Sequence, residues 1–279
     1  MSKIENRSGK VIRGGITIFV LIITLLMTIP LYITVVNIFK PTDLISASPL
    51  TLPIPPILDN IKTVLSDPNV SLSKMYFNSI CITFFGTSIC ILVSSMAGYY
   101  LARTASKFSK KLYVYFLFGL MVPYVIVYVP LISMYKNFGI IGNLPGLIIV
   151  FVSGSISFSV FMYQGFIKSI PIEVEEAALI DGANQFTIYF NIVLPLVKSC
   201  TTSVAIFIGL SMWNDFLTPL LIGQVPTITV GIYTAIGSFS ADWGTVFAYV
   251  LFATAPIVIV YILAQKQFVK GLTAGAIKG

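Results

Sequence analysis

The chain has no histidine, three cysteines and few charges: only 10% of its 279 residues are Asp, Glu, Lys or Arg. Without histidine it lacks the commonest metal ligand and the usual general base near neutral pH. Cys81, Cys90 and Cys200 lie in or beside apolar runs and form no CxxC pair. That excludes a zinc site or a disulfide framework and leaves buried, inert thiols. A phosphate-binding loop of the form GxxxxGKS or GxxxxGKT is also missing, because Gly9-Lys10 has neither the earlier Gly nor the following Ser or Thr. With few acids and no nucleophile beside a base, no catalytic, cofactor-binding or metal-binding residue is expected. Any use of ATP and Mg must then fall to another chain.

Soluble domains carry about 25% charged residues. Here the deficit of charge accompanies 57% hydrophobic residues and a mean hydropathy of +0.95, which membrane spans explain and a large soluble core does not. A net charge of +7 would suggest nucleic acid in a soluble protein. In this chain the basic residues sit in short loops between apolar runs, so membrane lipid is the expected environment and no nucleic-acid partner is expected.

Six apolar stretches are long enough to cross a bilayer: about 14–39, 76–101, 112–135, 145–166, 199–222 and 246–264. The first covers roughly 30 Å or more at about 1.5 Å per residue. It is too long for the core of a signal peptide, and no small-x-small cleavage pattern follows it. Pro30 is expected to kink it, and Pro123 and Pro130 to interrupt the third. Residues 40–74 contain Pro41, Pro49, Pro53, Pro55, Pro56 and Pro68, which exclude a continuous helix. Residues 57–65 suit one short helix with Asp59 in its first turn. The fourth stretch carries Gly154 between Ser153, Ser155, Ser157 and Ser159, a pattern suited to close helix packing. No internal repeat is visible. The expected fold is all-α, a polytopic membrane protein with six transmembrane helices in one domain, 14–266, between a polar segment at 1–13 and a tail at 267–279.

Charge asymmetry orients these spans. Thirteen of the 17 basic residues fall on one side: Lys3, Arg7, Lys10 and Arg13; Arg103, Lys107, Lys110 and Lys111; Lys168 and Lys198; and three in the tail. Only Lys40, Lys62, Lys74 and Lys136 fall on the other. The positive-inside rule therefore puts both termini and the loop at 167–198 in the cytoplasm.

That loop contains a polar island, EAALIDGANQFTIYFNIVLP, at 176–195. Pro171 fits the first turn of a helix. Glu173, Glu175 and Glu176 follow, where the helix dipole favours anions. Ala177 and Ala178 are small and helix-forming. Gly182 stands where a left-handed cap would end the helix, and Asn184 is placed to cap a second short helix from Gln185 to about Asn191. Pro195 fits the start of the fifth span. The expectation is helix, glycine turn, helix across the cytoplasmic face.

The spacing Glu176-Ala177-Ala178, Gly182, Ile192, Leu194-Pro195 resembles the EAA signature of binding-protein-dependent ABC-importer permeases. The resemblance covers nearly the whole chain. Asn78-Ser79, the run from Ala97 to Arg103, Phe166 with Ile170-Pro171, Asp181-Gly182-Ala183, and Trp213-Asn214-Asp215-Phe216 with Pro219-Leu220 are similar to the carbohydrate branch. The ending from Gly271 to Gly279 resembles that of the second permease subunit of maltose-type transporters. The resemblance implies the type I importer permease (MetI-like) fold. It implies that Glu176, Ala177, Ala178, Asp181, Gly182, Ile192, Leu194 and Pro195 couple to ATPase subunits, and that Ala274, Gly275, Lys278 and Gly279 reach them from the tail. The implied partners are two ABC ATPases, a second and non-identical permease, and an extracytoplasmic sugar-binding protein, with a carbohydrate as substrate. The implied location is the cytoplasmic membrane of a prokaryote.

Inside the membrane the sequence says less. Tyr124, Tyr128, Trp213 and Asn214 are candidates for a sugar path, since sugars bind through hydrogen bonds and aromatic faces. Asp215 is the one charge placed within a span, either a functional acid or the cap of a break near Pro219. Two alternatives remain at this stage: a non-sugar solute such as glycerol phosphate, and an ion-coupled carrier working without ATPases. A carrier needs ionisable groups near the midplane, and Asp215 is the only one on offer.

Overall fold

The computed structural model describes residues 2–66, 71–237 and 242–276, with side chains for all of these but 2–11, 264 and 266–276. All the described secondary structure is helical. Two compact units are distinguished: one built from 1–68 and 234–254, the other from 69–233 and 255–279.

In the first unit, α1 (Ser2–Asn37) begins well before the expected start at 14 and runs through Pro30 without interruption. Most of its apolar part, Ile12–Asn37, is exposed, and only its C-terminal end, at Val36 and Asn37, is buried within the chain. Thr17, Thr24, Thr28 and Thr34 return their hydroxyls to carbonyls four residues back, which pairs these hydroxyls within the helix in an apolar environment. α2 (Thr42–Ala47) and α3 (Asp59–Ser66) follow in the Pro-rich segment. Asn60 fastens that segment, its amide donating to the carbonyls of Ile38 and Lys40 at 2.7 and 2.8 Å. Lys40, one of the four basic residues on the less basic side, is buried and donates from Nζ to the carbonyl of Ser48 at 2.9 Å. Burial pushes its pKa down.

The second unit is organised on α4 (Leu72–Arg103) and α7 (Leu144–Lys168). These pack closely at Gly98, where a Cβ would sit 2.6 Å from Cβ of Tyr163. Any side chain at 98 would force the helices apart. α11 (Lys198–Asn214) lies against both. Cys90, Tyr163, Ile167, Ile188, Val193, Val197, Cys200, Val204 and Ile208 form the main buried cluster. Burying each large apolar side chain of this kind is worth about 1.5–3 kcal/mol. Cys90 and Cys200 are buried packing residues, as expected from sequence, whereas Cys81, also expected to be buried, is only partly so.

Two of the six expected spans are broken. The third is α5 (Lys107–Met121) followed by α6 (Tyr124–Asn137), bent by 100°. Val122 is extended at φ −80°, ψ 116°, the conformation that a following proline imposes. Pro130, by contrast, sits inside α6 without ending it. The fifth ends early, at Asn214. Asp215 then accepts from Thr218 N at 3.0 Å and Thr218 Oγ1 at 2.6 Å, capping the turn that leads into a π-helical segment, Pro219–Gly223. Of the two roles offered for Asp215, this is the cap.

α12 (Ile228–Ile236) was not expected from sequence. α13 (Trp243–Ala276) contains the last span, Trp243–Leu263. Among the described residues, four single helices are long and apolar enough to cross a membrane, and two bent pairs, α5 with α6 and Gln185–Leu196 with α11 (73°), raise the number to six if each counts as one. The protein is a multi-pass membrane protein.

Candidate coupling site

The polar island folds as α8 (Glu173–Ile180), a turn, and a second helical run. That run comprises α9 (Gln185–Ile188), a π-helical turn at Tyr189–Val193 and α10 (Leu194–Leu196). It is longer than the expected end near Asn191, because the π turn continues the helix into Leu194-Pro195. Pro171 precedes the first helical turn and does not lie in it. Its carbonyl accepts from Val174 N at 3.4 Å. Gly182 adopts φ +83°, the left-handed conformation that side-chain-bearing residues avoid at a cost of about 1–2 kcal/mol. Ala183 N then reaches back to the carbonyl of Ala178 at 3.0 Å, closing the cap. Asn184 Oδ1 accepts from Thr187 N at 2.9 Å, the N-cap expected of it.

The signature residues divide into two groups. Glu176, Ala177, Asp181, Gly182 and Pro195 are exposed. Ala178, Ile192 and Leu194 are partly buried and pack against the main cluster. One part of the motif thus presents a surface and the other fixes that surface to the membrane helices. Apolar side chains dominate what is presented: Ile180 is 87% exposed, and Leu179, Ile172 and Phe186 are also exposed. Exposed apolar side chains grouped beside acids in this way mark a surface suited to being covered by a partner.

Sequence reasoning missed how the island is held. Glu175 is buried, and its Oε1 accepts from Arg103 Nε at 2.7 Å with Arg103 Nη2 at 2.6 Å. Its Oε2 accepts from the Tyr99 hydroxyl at 2.8 Å. Arg103 Nη2 also donates to the carbonyl of Ile170 at 3.1 Å, just before α8. Tyr189, in the π turn, shares a hydrogen bond of 2.6 Å with Ser95. All three α4 residues lie in its last turns, and no local spacing links them to partners more than 65 positions away.

Of the candidate path residues, Tyr124 and Tyr128 meet edge to face at 5.3 Å. The Tyr128 hydroxyl shares a hydrogen bond of 2.9 Å with Thr218, and Tyr124 donates to the carbonyl of Val150 at 3.4 Å. Trp213 is buried; Asn214 is exposed and donates to the carbonyl of Leu210. Ala274 and Gly275 lie in α13, but their surroundings, like all of Lys278 and Gly279, are outside the described residues.

Bent apolar helices joined by an exposed, doubly capped pair of short helices make up a multi-pass membrane protein with one exposed element between its long helices. Residues 91–273 match the family described as binding-protein-dependent transport system inner membrane component, and the chain belongs to it. It is 35% identical over 266 residues to a probable starch degradation products transport system permease protein of Thermoanaerobacterium thermosulfurigenes, covering 94% of this chain and 96% of that one. It is 34% identical over 261 residues to a multiple sugar-binding transport system permease protein of Streptococcus mutans, covering 91% and 93%. A chain from a bacterial ABC transporter that imports the acidic polysaccharide alginate shares the fold, with TM-score 0.78 at 20% identity, covering 93% and 97%. Membership of a binding-protein-dependent family removes the ion-coupled carrier alternative.

Proposed function

We propose that this chain is the sugar-translocating permease subunit of an ABC importer, moved by separate ATPase subunits through α8 and its glycine turn. The observation that carries this reading is the exposed apolar face of a short helix that is capped at Gly182 and anchored behind by Ile192 and Leu194. A docking element that transmits force has to be short, rigid and firmly rooted. The names of the relatives, which concern starch degradation products and multiple sugars, support an oligosaccharide as the cargo.

On this reading both termini and α8 face the cytoplasm, as the distribution of basic residues requires. A second, non-identical permease completes the pathway, and a sugar-binding protein delivers the cargo from outside. The tail residues Ala274, Gly275, Lys278 and Gly279 reach the ATPases. Among the candidate path residues, Asn214 has the exposed polar side chain that a sugar path needs, whereas Tyr124, Tyr128 and Trp213 shape its wall. This chain contributes no group to ATP hydrolysis; its residues bind, move and open.

The test is to express the chain with its operon neighbours and purify it in mild detergent. An ATPase subunit is expected to accompany it, and Ile180→Asp is expected to release that subunit while the chain stays in the membrane. Retention of the ATPase by the Ile180 variant would remove α8 from the interface.

A further inference from the structure

The most extended set of long-range polar contacts in the second unit lies along α4. At one end, Asn78 Nδ2 donates to the carbonyl of Pro226 at 2.8 Å, and Ser79 Oγ accepts from Ile228 N at 3.1 Å. At the other, Ser95 holds Tyr189, while Tyr99 and Arg103 hold Glu175 and Ile170. About 36 Å of uninterrupted helix separates Ser79 from Arg103. The near end grips both halves of the cytoplasmic island. The far end grips Pro226 and the start of α12, just after the π-helical segment Pro219–Gly223.

These partners are poorly suited to stretching. Asn78, Ser79, Ser95 and Glu175 are all buried, so opening any of these contacts leaves a polar group without water to replace the partner. Gly98 and Gly86 pack α4 closely on Tyr163 and Met212, which resists bending. The segment at the far end is itself braced, since Thr229 Oγ1 donates to the carbonyl of Asp215, and Asp215 caps the break before Pro219.

We infer that α4 is the rod that carries displacement of the coupling helix across the membrane to residues 225–233, with Glu175 as the positioning residue that joins the two. The exposed Glu176 is then part of the docking surface, and its buried neighbour is the link. A competing route exists through the backbone itself, from α10 into α11 and on to Asp215. The inference rests on α8 being the ATPase docking helix, and the experiment separates the two.

The probe is ATP with vanadate, applied to the whole transporter in nanodiscs. Gln224, exposed and just before Pro226, is replaced by Cys after Cys81, Cys90 and Cys200 are changed to Ser. Its reaction rate with a membrane-impermeant maleimide is then read before and after nucleotide trapping. Trapping is expected to change the rate by about tenfold, within the range of ordinary allosteric couplings. Adding Glu175→Gln, which keeps the size of the side chain, or Tyr99→Phe should leave the ATPases bound and able to trap nucleotide but abolish the change at 224. The paired reversal Arg103→Glu with Glu175→Arg should restore part of it, which a merely local packing role would not do. If labelling in Glu175→Gln still follows nucleotide, the connection through α11 carries the motion and the inference fails. If no ATPase accompanies the unaltered chain, the docking reading fails first.

Discussion

Arg103 and Glu175, 72 positions apart, meet with Nη2 2.6 Å from Oε1, their side chains only 16% and 8% exposed. This pair ties the end of α4 to the first turn of α8. Its burial sets it apart from the other ion pair among the described residues. Lys62–Asp59 is 70% and 72% exposed, and a pair so open to solvent contributes about 0–1 kcal/mol.

The contrast predicts unequal costs. Removing one partner of a buried pair strands the other charge and costs about 3–5 kcal/mol. Arg103→Ala should therefore lower the unfolding temperature in detergent much more than Lys62→Ala. The double change Arg103→Ala with Glu175→Ala should cost less than the sum of the two single changes. Additive costs would mean that the two charges do not sense each other.

Gly182 has the conformation that makes it hard to replace. At φ +83°, Ala bears a strain of about 1–2 kcal/mol, while Asn and Asp tolerate that region better, so Asp differs from Asn mainly by placing a charge on the exposed turn. Gly182→Asp should insert at normal levels and lose uptake, with Gly182→Asn in between. Membranes with matched amounts of each variant give the comparison. Normal uptake by Gly182→Asp would take the turn out of the mechanism.

Asp215 acts as a cap, and its role should survive loss of charge. Asp215→Asn retains an oxygen for Thr218 N and is expected to keep uptake within about twofold, since Asn and Asp cap about equally well. Asp215→Ala should destabilise the chain by about 1 kcal/mol, read from its unfolding temperature. If Asp215→Asn abolished uptake without changing stability, the carboxylate would belong to the transport path.

Asp242 gives a prediction with a pH sign. It precedes α13, where its Oδ1 accepts from Thr42 Oγ1 at 2.6 Å and its Oδ2 from Thr245 Oγ1 at 2.6 Å. Burial alone would raise its pKa, but the hydrogen bonds from Thr245, Thr42 and the backbone outweigh it and hold the carboxyl below its ordinary value of 3.8. A depressed folded-state pKa gives stability that is complete above the unfolded value and lost as pH falls through the folded one. The unfolding-temperature gap between the native chain and Asp242→Ala should be constant from about pH 6 down to about pH 4.5 and narrow below about pH 4. A gap that widened in acid would contradict the assignment.

The parts of this structure that could be read from sequence are those written in local spacing. Apolar length announced the spans, and Gly182 and Asn184 announced their caps because a cap is a property of a few adjacent residues. Pro123 signalled a break, but a proline says only that a helix stops, so the 100° turn had to be seen. Asp215 was correctly suspected as a cap, yet its effect of ending the fifth span at Asn214 was not. The grip of α4 on the island was invisible because Arg103 and Glu175 become neighbours only through folding. For the same reason the first two of the three adjacent charges at Glu173, Glu175 and Glu176 looked alike in sequence, and only one of them turns inward.

On the proposed function, another protein's use of ATP moves this one. Uptake of a panel of radiolabelled oligosaccharides into cells carrying the complete transporter, with the ATPase subunits either intact or disabled in their own phosphate-binding loop, tests it most directly. Disabling the ATPases should abolish uptake while the assembly stays intact in the membrane. Uptake that continued at its normal rate without ATP hydrolysis would contradict it.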